Sequence, residues 1–382
     1  MTVNNTADKL SPSCLFYKIS EILREQNGNG SILAKTENSI NEYIKFLEKT
    51  PENCFNAIEV NKSEVIHKTN NVKDIIVTSI KYFLSGNLFD AVNKIDSLFY
   101  GLKVKTIEKD KCLYRGRSSN VNYLLSKSEM FHIPLNMRHI IKNQRYSLSG
   151  FPCLYLGENT YTCWEELERP DFGTTNFVAM KAEQAINLYD LSFPSEITKS
   201  TDFETIVIII ATSLSTKKSY DFKPEYIFPQ ILLHSFIKNR DIEIDDNNKK
   251  RGFLYHSTFM YQTYNHLFPL SSTICESDLD IYKCYVLPII NHNSDVFCHD
   301  LLKIFSMTNT ISNNYISYLR SNEHLIIPKH NDRNSSPKYC FSKFSVIDYL
   351  LLNYEFTNVL TISERTFKTI MIEGEYYLSI VE

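Results

Sequence analysis

The sequence predicts an α+β protein in which a helical N-terminal domain precedes a mixed β core. Three observations lead to this class. Apolar residues recur at helical spacing through the first hundred residues. Past Gly101 the pattern changes to short apolar runs bounded by turn residues, as expected of short strands. The stretch Gln144–Leu167, QRYSLSGFPCLYLGENTYTCWEEL, reads as a strand, a turn and a helix start in succession. A chain of 382 residues can bury a sizeable core and divide into two or three units. The expected spans are 1–100 for the helical domain, 101–295 for the domain holding the candidate site, and 296–382 for a C-terminal α/β extension that can belong to the same domain.

Taken in order, Cys14–Gln26 and Thr36–Lys49 are expected helices, separated by a turn at Asn27-Gly28-Asn29-Gly30. Asn53–Glu59 and Val65–His67 are weaker helical segments, and Val72–Leu84 and Leu88–Leu98 form a helical hairpin joined at Ser85-Gly86-Asn87. Lys111–Arg117 reads as a strand, Met130–Ile141 as an irregular connection, and Asn176–Met180 and Ala185–Leu191 as further strands. Asp202–Leu214, with its IVIII run, fits a buried strand and a buried helix equally well. Pro224–Ile237 reads as a loop entering a helix, Asp241–Arg251 as a hydrophilic bulge, and Gly252–Ser257 as a strand. The last stretch gives strands at Ile281–Ile289 and Tyr376–Val381, helices near Cys298–Phe305 and Val346–Tyr354, and a polar loop at Ser321–Ser336.

Composition narrows the function classes. Apolar content of 43% and charged content of 22% are ordinary for a globular protein. A net charge of −3 and a pI near 6.4 give no field that would draw the chain onto nucleic acid or anionic lipid, so neither is an expected partner. The longest apolar run, Ile206–Ala211, is far below the ~20 residues that span a bilayer. No charged, then apolar, leader pattern opens the sequence, and the nine cysteines are scattered without a CxxC pair. A cytoplasmic protein with neither a disulfide framework nor a metal site is therefore expected.

The chemistry concentrates in the central span. Arg115, Arg117, Arg138 and Arg145 lie close together in sequence. Guanidinium groups converging on a cleft bind phosphate through forked hydrogen bonds; the plainer alternative is surface ion pairing with Glu129, Glu158 or Glu168. Glu165 and Glu166 follow at the helix start, where they either complement the helix dipole or supply one carboxylate to a sugar. Adjacent helical residues point ~100° apart, so at most one of the two faces a given pocket. Tyr155 is a core residue or a stacking wall for a flat heterocycle. Ser257 caps a strand end or orients a substrate, and lacks the surroundings of a nucleophilic serine. Trp164 reads as packing, and His132, His139 and His256 as structural histidines.

These pieces in order, LYRGR, QRYSLSGFPCLYLGENTYTCWEEL, EYIFPQILLHSF and RGFLYHS, resemble the RES-domain family across roughly residues 105–265. Arg145 stands ten residues before Tyr155 and Glu166 eleven after it, the family's internal spacing; Gly252, Tyr255 and Ser257 fit its final strand. The resemblance implies an ADP-ribosyltransferase-like fold and an enzyme that consumes NAD as substrate, as a glycohydrolase or phosphorylase. It further implies a bacterial toxin of a toxin–antitoxin pair. Arg115 and Arg145, with Arg117 and Tyr146 beside them, would then bind the NAD phosphates and ribose. Tyr155 would pack near the nicotinamide, Glu166 would stabilise the oxocarbenium-like transition state or hold ribose hydroxyls, and Ser257 would line the nicotinamide end. Two alternatives stay open, an ADP-ribosyltransferase acting on a protein or nucleotide and a non-catalytic partner-binding module. Tyr146–Ser149 replaces the family's usual Asn-Pro segment, the interval from Glu166 to Ser257 is long, and both ends extend beyond the shared core. The extensions imply regulation or a dependence on partners.

Overall fold

The computed structural model describes residues 10–25, 30–119, 124–216, 222–240, 249–267, 279–289, 296–321, 343–359, 369–372 and 375–378. The expected polar terminus before residue 10, most of the 27–30 turn, most of the 241–251 bulge, the 321–336 loop past Ser321 and the end of the 376–381 strand lie outside them.

The chain opens with helices α1 (Pro12–Glu25), α2 (Ile32–Lys49), α3 (Glu52–Asn56), α4 (Lys62–Leu84) and α5 (Leu88–Ile95). Side-chain caps set several of their starts: Ser31 accepts from the Ala34 amide, Asn61 from Glu64 and Asn87 from Asp90. The Asn61 cap makes α4 one helix of 23 residues, joining two segments that the sequence reading kept apart. Gly86, at φ +82°, turns the chain from α4 into α5 in a conformation that favours glycine.

Strands β1 (Val104–Ile107) and β2 (Cys112–Ser118) follow, then α6 (Lys127–Met130), β3 (Cys153–Gly157) and α7 (Thr160–Glu166). Met130–Ile141, expected to be irregular, contains a 3-10 segment at Leu135–Ile140. Next come β4 (Thr175–Ala182), β5 (Ile186–Leu191), α8 (Ser200–Thr212), α9 (Ile227–Arg240), β6 (Lys250–His256), α10 (Thr258–Leu267) and β7 (Lys283–Pro288). The final elements are α11 (His299–Ile304), β8 (Phe305–Met307), β9 (Ile311–Ser312), α12 (Asn313–Ser321), α13 (Lys343–Leu352), β10 (Thr357–Asn358), β11 (Thr369–Ile372) and β12 (Glu375–Leu378). The fold is α+β. Among the described residues no helix is long and apolar enough to cross a membrane.

Compactness divides the chain into two units of non-consecutive stretches, a different partition from the three consecutive spans expected above. The first takes Met1–Lys105, Lys142–Phe151 and Asn187–Leu279; the second takes Thr106–Ile141, Pro152–Ile186 and Asp280–Glu382.

In the first unit α4 packs against α2, α5, α8 and α9. The IVIII run settles here as helix, with every residue from Ile206 to Ala211 buried. Neighbouring helices cover α8 on several sides, which is why its apolar residues show no single stripe. Asp202 anchors its start, accepting from the Thr198 and Lys199 amides and pairing with Lys103 at 2.5 Å. Pro229 falls in the first turn of α9, where a missing N–H costs the helix nothing. Strands β5 and β6 run parallel, with Tyr189 opposite Phe253 and Leu191 opposite Tyr255.

The second unit is an antiparallel sheet in the order β7-β3-β2-β4-β8-β10, with β9 also pairing β4. Helices α7 and α13 pack on one face over a core of Tyr114, Cys163, Phe177, Ile347, Leu350 and Leu351. Two glycines let α7 approach the strands this closely. A Cβ at Gly157 would meet the Cys163 sulfur at 2.8 Å, and one at Gly116 would meet Cys163, Leu167 and Phe177 at 3.1–3.2 Å.

Candidate functional site

Strand β2 places Arg115 and Arg117 on one face of the sheet and turns Tyr114 and Gly116 to the α7 face, following the period of two. It pairs with β4 along its whole length, from Cys112 opposite Lys181 to Ser118 opposite Thr175. With β3 it pairs only through Tyr114 and Gly157. Past that pair a side chain replaces the ladder: the Arg115 guanidinium donates through Nη1 to the Tyr155 carbonyl at 2.9 Å. The Arg115 Nε is buried and has no hydrogen-bond partner among the described residues. Burial, and then the neighbouring Arg117, pull the Arg115 pKa down to about 10, so it stays cationic at neutral pH.

Arg117 donates to the main-chain carbonyl of Glu129, while the Glu129 carboxylate closes the capping box of α6 with Ser126. Glu158 is engaged by Lys111 and by the Tyr285 hydroxyl. Main-chain carbonyls, rather than the acids weighed from sequence, therefore hold Arg115 and Arg117. Beside them lies His132, fully buried. Its Nδ1 bonds the Ile133 carbonyl at 2.8 Å and its Nε2 accepts from the Cys298 amide at 2.8 Å. A ring that accepts at one nitrogen is neutral, and burial pushes its pKa down to about 4. Tyr155 is half-buried on β3, its hydroxyl oxygen enclosed.

The paired carboxylates need a correction. They were expected at the start of a helix, but Asn159 caps α7 by accepting from the Thr162 amide at 2.8 Å, and Glu165 and Glu166 end the helix seven residues on. They stand at the negative end of the dipole and gain nothing from it. Glu165 is the buried member, and its charge is met by Arg169 at 2.8 Å. Glu168 and Arg169 take left-handed conformations (φ 63° and 57°), folding Arg169 back onto Glu165 and over the Trp164 ring. Glu166 is exposed.

The first unit holds the other expected residues. Gln144 and Ser147 close a two-residue turn by exchanging main-chain bonds of 2.9 and 3.2 Å, with Arg145 and Tyr146 at its tip. Arg145 donates to the Thr212 carbonyl, and to that of Leu214 at 3.2 Å, and its guanidinium lies 5.0 Å from the Tyr226 ring. It is thereby a cationic cap on the C-terminal end of α8. Tyr146 is 1% exposed and stacks on Phe253, centroid to centroid 5.6 Å. Ser257 is buried and accepts from the Phe259 amide at 3.3 Å, the position of a cap on α10. His256 accepts at Nδ1 from the Phe193 amide.

The expected residues thus divide, with Arg115, Arg117, Tyr155 and Glu166 in the second unit and Arg145, Tyr146 and Ser257 in the first. Two residues with evident roles carried no role in the sequence reading. Gln230 donates its amide to the Gln144 and Ser147 carbonyls at 3.0 and 3.4 Å, pinning the Arg145 turn. Asp348 accepts from the Thr160 amide at 3.1 Å, at the start of α7. A signal for Asp348 existed: it is one acid inside the apolar run SVIDYLLL. Among the described residues no group of three His, Cys, Asp or Glu side chains is placed to hold a metal ion.

No protein-family model matches the chain, and no solved structure matches it. A protein of Bacillus subtilis (strain 168) named "Putative toxin YopC" is 30% identical over 326 residues, an alignment covering 75% of this chain and 67% of that protein.

Proposed function

This chain belongs to the family of that YopC protein, and from this premise we propose that it is a toxin which cleaves the nicotinamide–ribose bond of NAD. The observation that carries the chemistry is Arg115, a half-buried cation whose buried Nε–H is unpartnered among the described residues, at the place where β2 and β3 stop pairing. A buried donor without an acceptor is costly, so a phosphate oxygen from a ligand is a natural partner. Arg117 adds a second guanidinium on the same face of the strand.

In the proposed reaction the bond from the ribose C1′ to the pyridinium nitrogen breaks, and its electron pair leaves with nicotinamide. Water, or inorganic phosphate, attacks C1′; with water the products are ADP-ribose, nicotinamide and a proton. The developing positive charge on the sugar calls for one anion nearby. Arg169 pairs with Glu165, and Glu166 is the solvent-exposed carboxylate of α7, which the resemblance makes the candidate for that anion. Such an enzyme drains a coenzyme of its own cell, so a restraining partner protein belongs to the same reading.

The test is incubation of the purified protein with NAD, with and without phosphate, and identification of the products. Nicotinamide release that is lost in Glu166→Ala supports the reading. Intact NAD after prolonged incubation of a folded, partner-free protein overturns it. Label attached to a macromolecule moves the reading to ADP-ribose transfer.

A further inference from the structure

Helix α13 is fastened to α7 at several points. Asp348 Oδ1 accepts the Thr160 amide at 3.1 Å, and the Thr160 hydroxyl donates to the Phe344 carbonyl at 3.3 Å. The Phe344 ring lies among three others, 5.3 Å from Tyr161, 5.4 Å from Trp164 and 4.7 Å from Phe172. Ile347, Leu350 and Leu351 complete the face of α13 that enters the core. Asp348 is the acid on that face, 8% exposed. An apolar side chain would pack there at least as well, so a carboxyl retained against its desolvation cost points to the bond it makes.

We propose that α13 sets the orientation of α7, and that Asp348 is the positioning residue that fastens it. Helix α7 carries Glu166 at its far end, six residues on from Thr160, so a shift at its start tilts the carboxylate end. The activity arm of this inference rests on the NAD reading; the spectroscopic arm does not.

The fastening responds to pH. Around Asp348 lie the titratable groups of Glu158, Cys163 and Tyr114. Burial holds the Cys163 thiol up at about 12 and the Tyr114 phenol higher, so both stay neutral near pH 7, and Glu158 is paired with Lys111. Burial raises the Asp348 pKa to about 7, with the Thr160 hydrogen bonds opposing it. The proton therefore favours the fastened state. As pH rises through about 7 the buried carboxyl ionises, and any state in which it reaches water gains weight.

The probe is Trp164, the one tryptophan in the chain, in contact with Phe344. Its emission is titrated from about pH 5 to 9 in wild-type protein, in Asp348→Asn, which keeps an acceptor for the Thr160 amide, and in Phe344→Leu. The expected result is a wild-type red shift centred near pH 7, absent in D348N, and of smaller amplitude but the same midpoint in F344L. Nicotinamide release by wild-type protein is expected to follow the same midpoint, with D348N flat. A wild-type emission curve without that inflection, or the same curve in D348N, overturns the inference; the wild-type curve alone decides if D348N does not fold. Failure of NAD cleavage alone, with the spectroscopic result obtained, overturns the functional reading and leaves the fastening standing.

Discussion

Arg115 and Tyr155 are joined by a bond that neither residue type advertises: the guanidinium of one donates to the main-chain carbonyl of the other at 2.9 Å. The bond stands where the β2–β3 ladder ends after Tyr114 and Gly157, so one side chain both supports the sheet and keeps a donor in reserve. This dual use makes the arginine sensitive to replacement by lysine. Arg115→Lys keeps the charge but loses the planar fork, so it can serve the carbonyl or a phosphate but not both in one geometry. It is expected to cost about 1 kcal/mol in denaturant unfolding and to lower NAD turnover at least about tenfold. Turnover equal to wild type in a folded R115K protein would remove Arg115 from the site.

Arg145 makes a contrasting prediction. Its guanidinium is committed to the Thr212 and Leu214 carbonyls and to the Tyr226 ring, so Arg145→Ala uncaps α8. A loss of about 1–2 kcal/mol in stability is expected. Arg145→Lys should recover only part of it, because an ammonium lacks the fork that reaches two carbonyls. Thermal unfolding of both variants is the measurement, and an R145A protein as stable as wild type removes the capping role.

The turn that presents Arg145 depends on Gln230, whose amide faces two carbonyl oxygens. Gln230→Ala leaves both without that donor, at about 1–2 kcal/mol. Gln230→Glu is the sharper test, since it sets a carboxylate against the same two oxygens and is expected to cost more than alanine. Equal stability of the two variants would mean that volume matters there and the hydrogen bonds do not.

The helices α1, α2 and α5 were legible because their apolar residues follow one stripe and turn residues bound them. The IVIII run was not, because α8 is buried on several sides and leaves no period to read. The start of the candidate-site helix was misplaced for a different reason. Asn159 is an ordinary turn residue until it caps, and the adjacent acids look like a helix start unless Arg169 is seen folding back on them. The arginines were visible as residue types, but their partners are main-chain carbonyls distant in sequence, as Arg145 is from Thr212. Those follow only from the assembled fold.

Two glycines separate steric from conformational demands. Gly157→Ala drives a Cβ to 2.8 Å from the Cys163 sulfur, with main-chain atoms of Asn159 and Cys163 at 3.2 and 3.3 Å, so α7 must lift from the sheet. About 1–3 kcal/mol is expected. Gly86→Ala meets nothing within 4 Å, and its cost is the strain of φ +82° alone, about 1 kcal/mol. Adding Cys163→Ala to G157A should recover stability by removing the sulfur, whereas no second-site change of that kind exists for G86A. Chemical denaturation of the three variants tests both halves.

Asp348 gives the protein a dependence of stability on pH whose sign is fixed. Its carboxyl is raised by burial from an ordinary 3.8 to about 7, so between those values the folded state binds more protons than the unfolded one. Where the native state holds the extra proton, stability falls as pH rises. The contribution is complete below about 3.8 and is lost by the time pH passes about 7. Asp348→Asn removes the titration while keeping an oxygen for the Thr160 amide. The variant is therefore expected to be more stable than wild type at pH 8, on the order of 2 kcal/mol, with the advantage shrinking steadily toward pH 5. Melting temperatures of the two proteins across that range are the check. A constant offset between them would show that the substitution acts through packing, because only the loss of a titrating group makes the two curves converge as pH falls.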